Sequence, residues 1–337
     1  MKADSMTLQK VFQNGGDIHY VLPHFQREYA WEKTEWDTLL EDAYTIYEEV
    51  NEDPDETDVT PVEHFLGSLV VVQSGVIAGT ITRFTLVDGQ QRLTTLSLLL
   101  FALSRVIETS NKPLSNKIRK LVFNLDETGD AHYKLLPTSK YNDRAAYKAI
   151  LKGEEPDAPE SRIPGAYAYL YTALKGKIEK GEIVPERFFR TLANVFQVVF
   201  ISLDPQESPY KIFESLNAKG KALTQADLVR NFIAMTLPPG DQESIFCDHW
   251  SPIEAILQEK RTVGKSGMGE LTAFLRHYLA METGTLCNEN HVYARFRDRI
   301  NLHFRTPKKF AEEIERLHRF AILYDRLLRP ERQPQLQ

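Results

Sequence analysis

The chain has 337 residues, 42% hydrophobic and 26% charged, which supports one large or two smaller folded bodies and gives no case for wholesale disorder. Its two cysteines, Cys247 and Cys287, form neither a CxxC pair nor a disulfide framework, so a disulfide-stapled scaffold is excluded and a reducing, cytoplasmic setting is expected. The net charge of −6 is unevenly placed: residues 31–63 hold thirteen acids against one lysine, while residues 291–332 hold eleven Lys or Arg against six acids. The basic stretch reads equally as a face for phosphates and as helices of mixed, solvated charge.

The amino terminus, MKADSMTLQKVF, lacks the apolar run and small-residue cleavage site of a signal peptide. The longest apolar run, residues 93–107, is interrupted by Thr94, Thr95, Ser97, Ser104 and Arg105 and is too short to span a bilayer. In chain order, residues 5–13 begin a short helix, and residues 34–50 form a longer one with Trp36, Leu39, Leu40, Ala43, Tyr44, Ile46 and Tyr47 at helical spacing. After an acidic loop at 51–61, the β-branched runs 65–73 and 81–87, separated by Gly75 and Gly79, predict an antiparallel hairpin. Residues 90–107 then form a helix that is apolar nearly all round and so is expected to be buried on most sides.

From about residue 111 the pattern is mainly helical, with helices over 166–180, 209–216, 224–235, 270–281 and 308–328 and one strand over 195–203. The predicted organisation is α+β: a small mixed core over 1–110, a mainly helical body over 111–328, and a tail, 329–337, that reads as a linker.

Three stretches carry chemistry. In TLVDGQQRLTTL a strand ends in Asp88-Gly89 and runs into a helix, so free backbone N–H groups and the positive helix end are available to phosphate. Arg92 in the first turn can grip phosphate, Asp88 can orient Mg2+ or its water, and Gln90 or Gln91 can position an attacking water. The same residues also read as a plain capping box, with Asp88 as N-cap and Gln91 three residues on. VLPHFQREYAW joins Pro23, Phe25, Tyr29 and Trp31 to His24, Gln26 and Arg27; aromatics interleaved with Gln and Arg suit a base and its phosphate, or a loop plugged into the core by its rings. In IFESLNAKGKALTQADLVRNF, Asn217, Lys219 and Gly220 form a polar turn that can contact phosphate or simply be solvated, and Thr224 with Asp227 opens the next helix as a capping box. The GKS at 264–266 is rejected as a Walker A site because position 259 is Glu, and the scattered cysteines and histidines lack metal-ligand spacing.

Taken together, LPHFQREYAW, HFLGSLVVV, VDGQQRLTTL and FESLNAKGKALTQADLVRNF, in that order over roughly residues 5–235, resemble the GmrSD-type restriction endonuclease N-terminal family, including its phosphorothioate-sensing defence relatives. The resemblance implies a core similar to the ParB and sulfiredoxin fold. It also implies binding and hydrolysis of a nucleoside triphosphate, GTP or ATP, with Mg2+, at the motif matched by Asp88, Gly89, Gln90, Gln91 and Arg92. The resemblance further implies recognition of modified DNA, phosphorothioate or glucosylated hydroxymethylcytosine, and control of an HNH-type nuclease domain lying C-terminal to this stretch. On this reading Asp88, Gln90, Gln91 and Arg92 are catalytic, and Gly89, Thr94, Arg27, Asn217, Lys219 and Gly220 bind nucleotide. Pro23, Gln26, Tyr29 and Trp31 contact DNA, no resident metal site is expected, and a homo-oligomer is a further expected assembly. The alternative is a reader module that grips phosphates without hydrolysis.

Overall fold

A computed structural model describes residues 2–13, 16–23, 26–50, 63–77, 81–203, 224–237, 244–259, 261–263 and 267–330 of the chain. The helix expected over residues 5–13 starts only at Leu8: residues 5–7 instead end strand β1 (Lys2–Thr7), and helix α1 (Leu8–Gln13) follows directly. Next come β2 (Ile18–Val21), α2 (Lys33–Glu49), the hairpin strands β3 (His64–Ile77) and β4 (Ile81–Asp88), and α3 (Gln90–Val106). The first unit continues with α4 (Lys112–Arg119), β5 (Leu135–Leu136), α5 (Asp143–Lys152), α6 (Ile163–Glu179), α7 (Pro185–Asn194) and β6 (Phe196–Leu203).

The six strands form one mixed sheet in the order β1-β6-β3-β4-β2-β5, so the architecture is α+β. The predicted hairpin forms, with Val71 opposite Leu86 and Val72 opposite Thr85. The late strand β6 inserts between β1 and β3, parallel to β3 and antiparallel to β1, with Lys2 opposite Ser202 and Leu69 opposite Phe200. Because β5 and β6 complete the sheet, the chain divides into compact units at 209/210 rather than near residue 110.

Helix α3 is buried continuously from Leu93 to Ser104 and packs on α4 and α6. Its all-round apolar sequence therefore has the environment it requires. α2 does the opposite: Trp36, Leu39, Leu40, Ala43, Ile46 and Tyr47 face the core while Glu41, Glu48 and Glu49 are exposed, so its acidic residues are a solvated face.

The second unit contains α8 (Gln225–Thr236), a π-helical turn (Phe246–Trp250), α9 (Ser251–Ile256), the short strands β7 (Thr262–Val263) and β8 (Met268–Gly269), α10 (Glu270–Thr283), α11 (Val292–His303) and α12 (Pro307–Leu328). The predicted capping box forms, with Asp227 N donating to Thr224 Oγ1 at 3.1 Å and Thr224 N to Asp227 Oδ2 at 3.2 Å. Phe232 is surrounded by the rings of Tyr293, Phe296 and Phe310.

Several arginines of the basic stretch are paired within this unit. Arg299 and Arg316 both reach Glu282 and the buried Glu313, and Arg319 meets Glu315. Arg329, expected to open a linker, is anchored to Glu270 at 2.7 Å and to Asp325. The described residues include no helix long and apolar enough to cross a membrane.

Burial of α3 on all sides makes a direct prediction. Leu98→Ala and Leu100→Ala, both fully buried and on different faces of the helix, should each lower stability by about 2–5 kcal/mol in urea unfolding. A loss under about 0.5 kcal/mol for either would show that its face is not packed.

Candidate functional site

The junction between β4 and α3 is built around two glycines. Gly89 has φ +90° and serves as the helix N-cap, where a β-carbon would lie 2.3 Å from Leu69 Cδ2 and 2.9 Å from Ser68 O. Both the left-handed backbone and the close approach of β3 therefore require glycine. Across from it, Gly67 has φ +102° and sits where the β3–β6 register shifts between Phe65 and Ser68. The Arg92 guanidinium rests on it: a β-carbon at Gly67 would be 2.9 Å from Nη2, and Nη1 donates to Ser68 O at 2.9 Å.

Asp88 ends β4 and is half-buried. Burial pushes its carboxyl above the ordinary range, opposed by the Gly89 N–H and by the charges of Arg92 and Arg27. Burial likewise pulls Arg92 below its usual range, with Asp88 acting against the shift. Among the described residues Arg27 has no hydrogen-bond or ion-pair partner, and Arg92 has only the bond to Ser68 O. The junction thus brings two available guanidinium groups to one carboxylate. First-turn amides, which helical geometry leaves without intrahelical acceptors, lie beside them.

Gln91 has a different role from either one expected. Its Nε2 donates to Glu28 O at 2.9 Å, and its Oε1 accepts from Ala30 N at 2.7 Å and Trp31 N at 3.3 Å. It therefore neither closes a capping box with Asp88 nor has an amide free to orient water; it clamps the backbone of loop 26–31 to α3. Gln26 and Tyr29, expected to touch DNA, are 3% and 4% exposed. Gln26 Nε2 donates to Val87 O at 2.8 Å. The Tyr29 hydroxyl is 2.6 Å from Thr95 Oγ1 and accepts from Trp36 Nε1 at 2.9 Å. These two assignments are corrected: their polar groups close internal bonds, and the core-plug reading of the loop holds for them. Trp31 is partly buried and packs against the core, while Pro23 is half-buried. His24, Phe25, Asn217, Lys219 and Gly220 lie outside the described residues, as do 209–216 and 264–266.

Gln90 and Thr94 turn inward. With Leu22, Tyr29, Gln91, Pro137, Thr138 and Asp143 they line a cavity of about 10 Å³, and Gln90 Oε1 is buried without a partner among the described residues. Asp143 was not singled out in the sequence, because an Asp opening a helix looks like an ordinary first-turn residue. Here it is fully buried and accepts from Tyr29 N and Ser161 Oγ, both at 2.6 Å. Burial pushes its carboxyl up to about 6, against the pull of those two bonds. Arg230, by contrast, is held by Asp227 at 2.7 Å and by Glu254.

The clamp can be tested by Gln91→Leu. Leaving the Ala30 and Trp31 amides and the Glu28 carbonyl without this partner should cost about 1–3 kcal/mol and speed hydrogen exchange across residues 28–31. Unchanged exchange in a folded variant would remove Gln91 as the anchor.

A search of curated proteins finds no match to this chain. A family profile described as the GmrSD restriction endonuclease, N-terminal domain, matches residues 8–234, spanning the junction, loop 26–31 and the start of the second unit. The chain therefore belongs to the GmrSD restriction endonuclease N-terminal-domain family and is a restriction-system defence protein.

Proposed function

We propose that the β4–α3 junction binds and hydrolyses a nucleoside triphosphate and that its nucleotide state controls DNA restriction. The observation that carries this reading is the pairing of Arg27 and Arg92, both with donors to offer, around the half-buried carboxylate of Asp88. Several arginines of the basic stretch in the second unit are bound into ion pairs, whereas Arg27 and Arg92 keep donors that an anion could use. Guanidinium groups and first-turn amides suit phosphate oxygens, and partial burial strengthens their attraction for a polyanion.

No group of three or more His, Cys, Asp or Glu among the described residues can hold a metal ion. A single carboxylate nonetheless fits magnesium, which is commonly bound by one or two carboxylates together with substrate phosphates. Asp88 would hold it, and the ion would supply charge neutralisation on the phosphates. Asp88 and the two arginines orient the phosphate chain. Gln91 holds the loop and Gln90 turns into the small cavity beside Asp143, so neither motif amide is assigned to the attacking water.

Modified DNA, phosphorothioated or glucosylated, is the proposed signal. It would be read at Pro23 and Trp31, the partly exposed members of this stretch beside the junction, and the output would be control of nuclease activity. One observation favours the non-hydrolysing alternative: Gln91 is withdrawn from chemistry, so the loop would grip phosphates and stop there.

Phosphate release from GTP and from ATP, with unmodified, phosphorothioated and glucosylated duplexes in parallel, separates the two readings. Arg92→Ala should reduce turnover about 10²–10³-fold, as expected when a preorganised donor to developing charge is removed. Arg27→Ala should raise KM about tenfold with turnover little changed, as expected of a residue that only binds the nucleotide, while the melting temperature of each stays near that of the parent. Parent-level turnover in a folded Arg92→Ala protein would end the assignment. Nucleotide binding by the parent without phosphate release would establish the non-hydrolysing reading instead.

A further inference from the structure

The backbone on either side of Arg27 is held by bonds from several directions. Gln26 is tied to Val87 O, one residue before Asp88. Glu28 O, Ala30 N and Trp31 N are tied to Gln91. Ala30 O accepts from Arg162 Nη1 at 3.0 Å, and Arg162 also pairs with Glu32 at 2.7 Å. The Tyr29 amide, two residues past Arg27, donates to Asp143 Oδ2, more than a hundred residues away. Arg27 is the side chain that this network presents beside Asp88.

We propose that Asp143 is a positioning residue for the Asp88–Arg92 centre, holding Arg27 in register with it through the Tyr29 amide. The proposal rests on the nucleotide reading of that centre. The contact is a carboxylate accepting two N–H or O–H donors in a buried place, one from loop 26–31 and one from Ser161. The ionised form accepts from both donors in charge-assisted bonds; protonation reverses the bond to Ser161 and leaves the Tyr29 amide a weaker, neutral acceptor. Glu28 is the charged neighbour acting on Asp143, and Tyr29, Gln90, Gln91, Thr94 and Thr138 complete its polar surroundings. Because burial lifts Asp143 to about 6, its ionised form dominates above that pH and is lost below it. The anchor is therefore expected to hold at neutral pH and slacken in mild acid.

The test follows backbone exchange and nucleotide kinetics in the full chain. With exchange corrected for intrinsic rates, protection of residues 26–31 should fall about tenfold between pH 7.5 and 5, and KM for the hydrolysed nucleotide, GTP or ATP, should rise about tenfold with kcat nearly constant. Asp143→Asn should show weak protection and high KM across that range, with no pH response. Ser161→Ala, which leaves the Tyr29 bond but removes one of the two bonds holding the carboxyl down, should stay near the parent at pH 7.5 and lose protection at a higher pH than the parent does. Parent protection and KM that are flat with pH would overturn the proposal without any variant, as would a folded Asp143→Asn protein that keeps the parent's protection, KM and pH profile. If the parent neither binds nor hydrolyses GTP or ATP, the nucleotide reading fails. The exchange measurements would still decide whether Asp143 holds the loop.

Discussion

The amide of Gln91 joins the two sequence blocks on which the site depends. One side chain in the first turn of α3 accepts from two backbone N–H groups and donates to one carbonyl of a loop sixty residues earlier. Buried backbone groups need partners, and among the described residues no strand pairs with loop 26–31 to supply them. Side chains do so instead: Gln91 from α3, Asp143 from α5 and Arg162 before α6. The loop is held beside the β4–α3 junction because three side chains complete its hydrogen bonds.

Around that anchoring, the residues divide by what they have left to offer. Gln26, Tyr29 and Gln91 are saturated by internal bonds, and a saturated buried group has little to give a ligand. Arg27, Arg92 and Asp88 come together at a half-buried junction with groups still to offer. Gly67 and Gly89 make that possible, because a β-carbon at either would displace the arginine or drive the helix end away from β3. The motif therefore mixes structural and chemical residues within five positions, and chain order does not distinguish them.

Charge in the second unit shows the same principle in reverse. Its arginines look from the sequence like a phosphate-binding surface, but Glu270, Glu282 and Glu313 face Arg329, Arg299 and Arg316. Removing one member of such a pair would leave the other buried without a counter-charge, so these arginines serve the packing of α10, α11 and α12.

Local patterning was sufficient for the elements whose signal is periodic and near in sequence. The apolar run of α3, the β3–β4 hairpin, the capping box at Thr224 and the strand near residue 196 all follow from side-chain periodicity and from glycine or Thr-Asp placement. Only the tertiary structure decided that β6 pairs parallel to β3 and leaves β1 at the edge, because a strand's own residues specify its faces and not its neighbour. The same holds within the site. Asp-Gly at a strand end announces the turn, yet whether Gln91 faces water or the backbone at 28–31, and whether Asp143 is a surface cap or a buried anchor, depends on partners about sixty and more than a hundred residues away. Hydrogen-bond partnership across such separations is set by packing, and no pattern in the local sequence carries it.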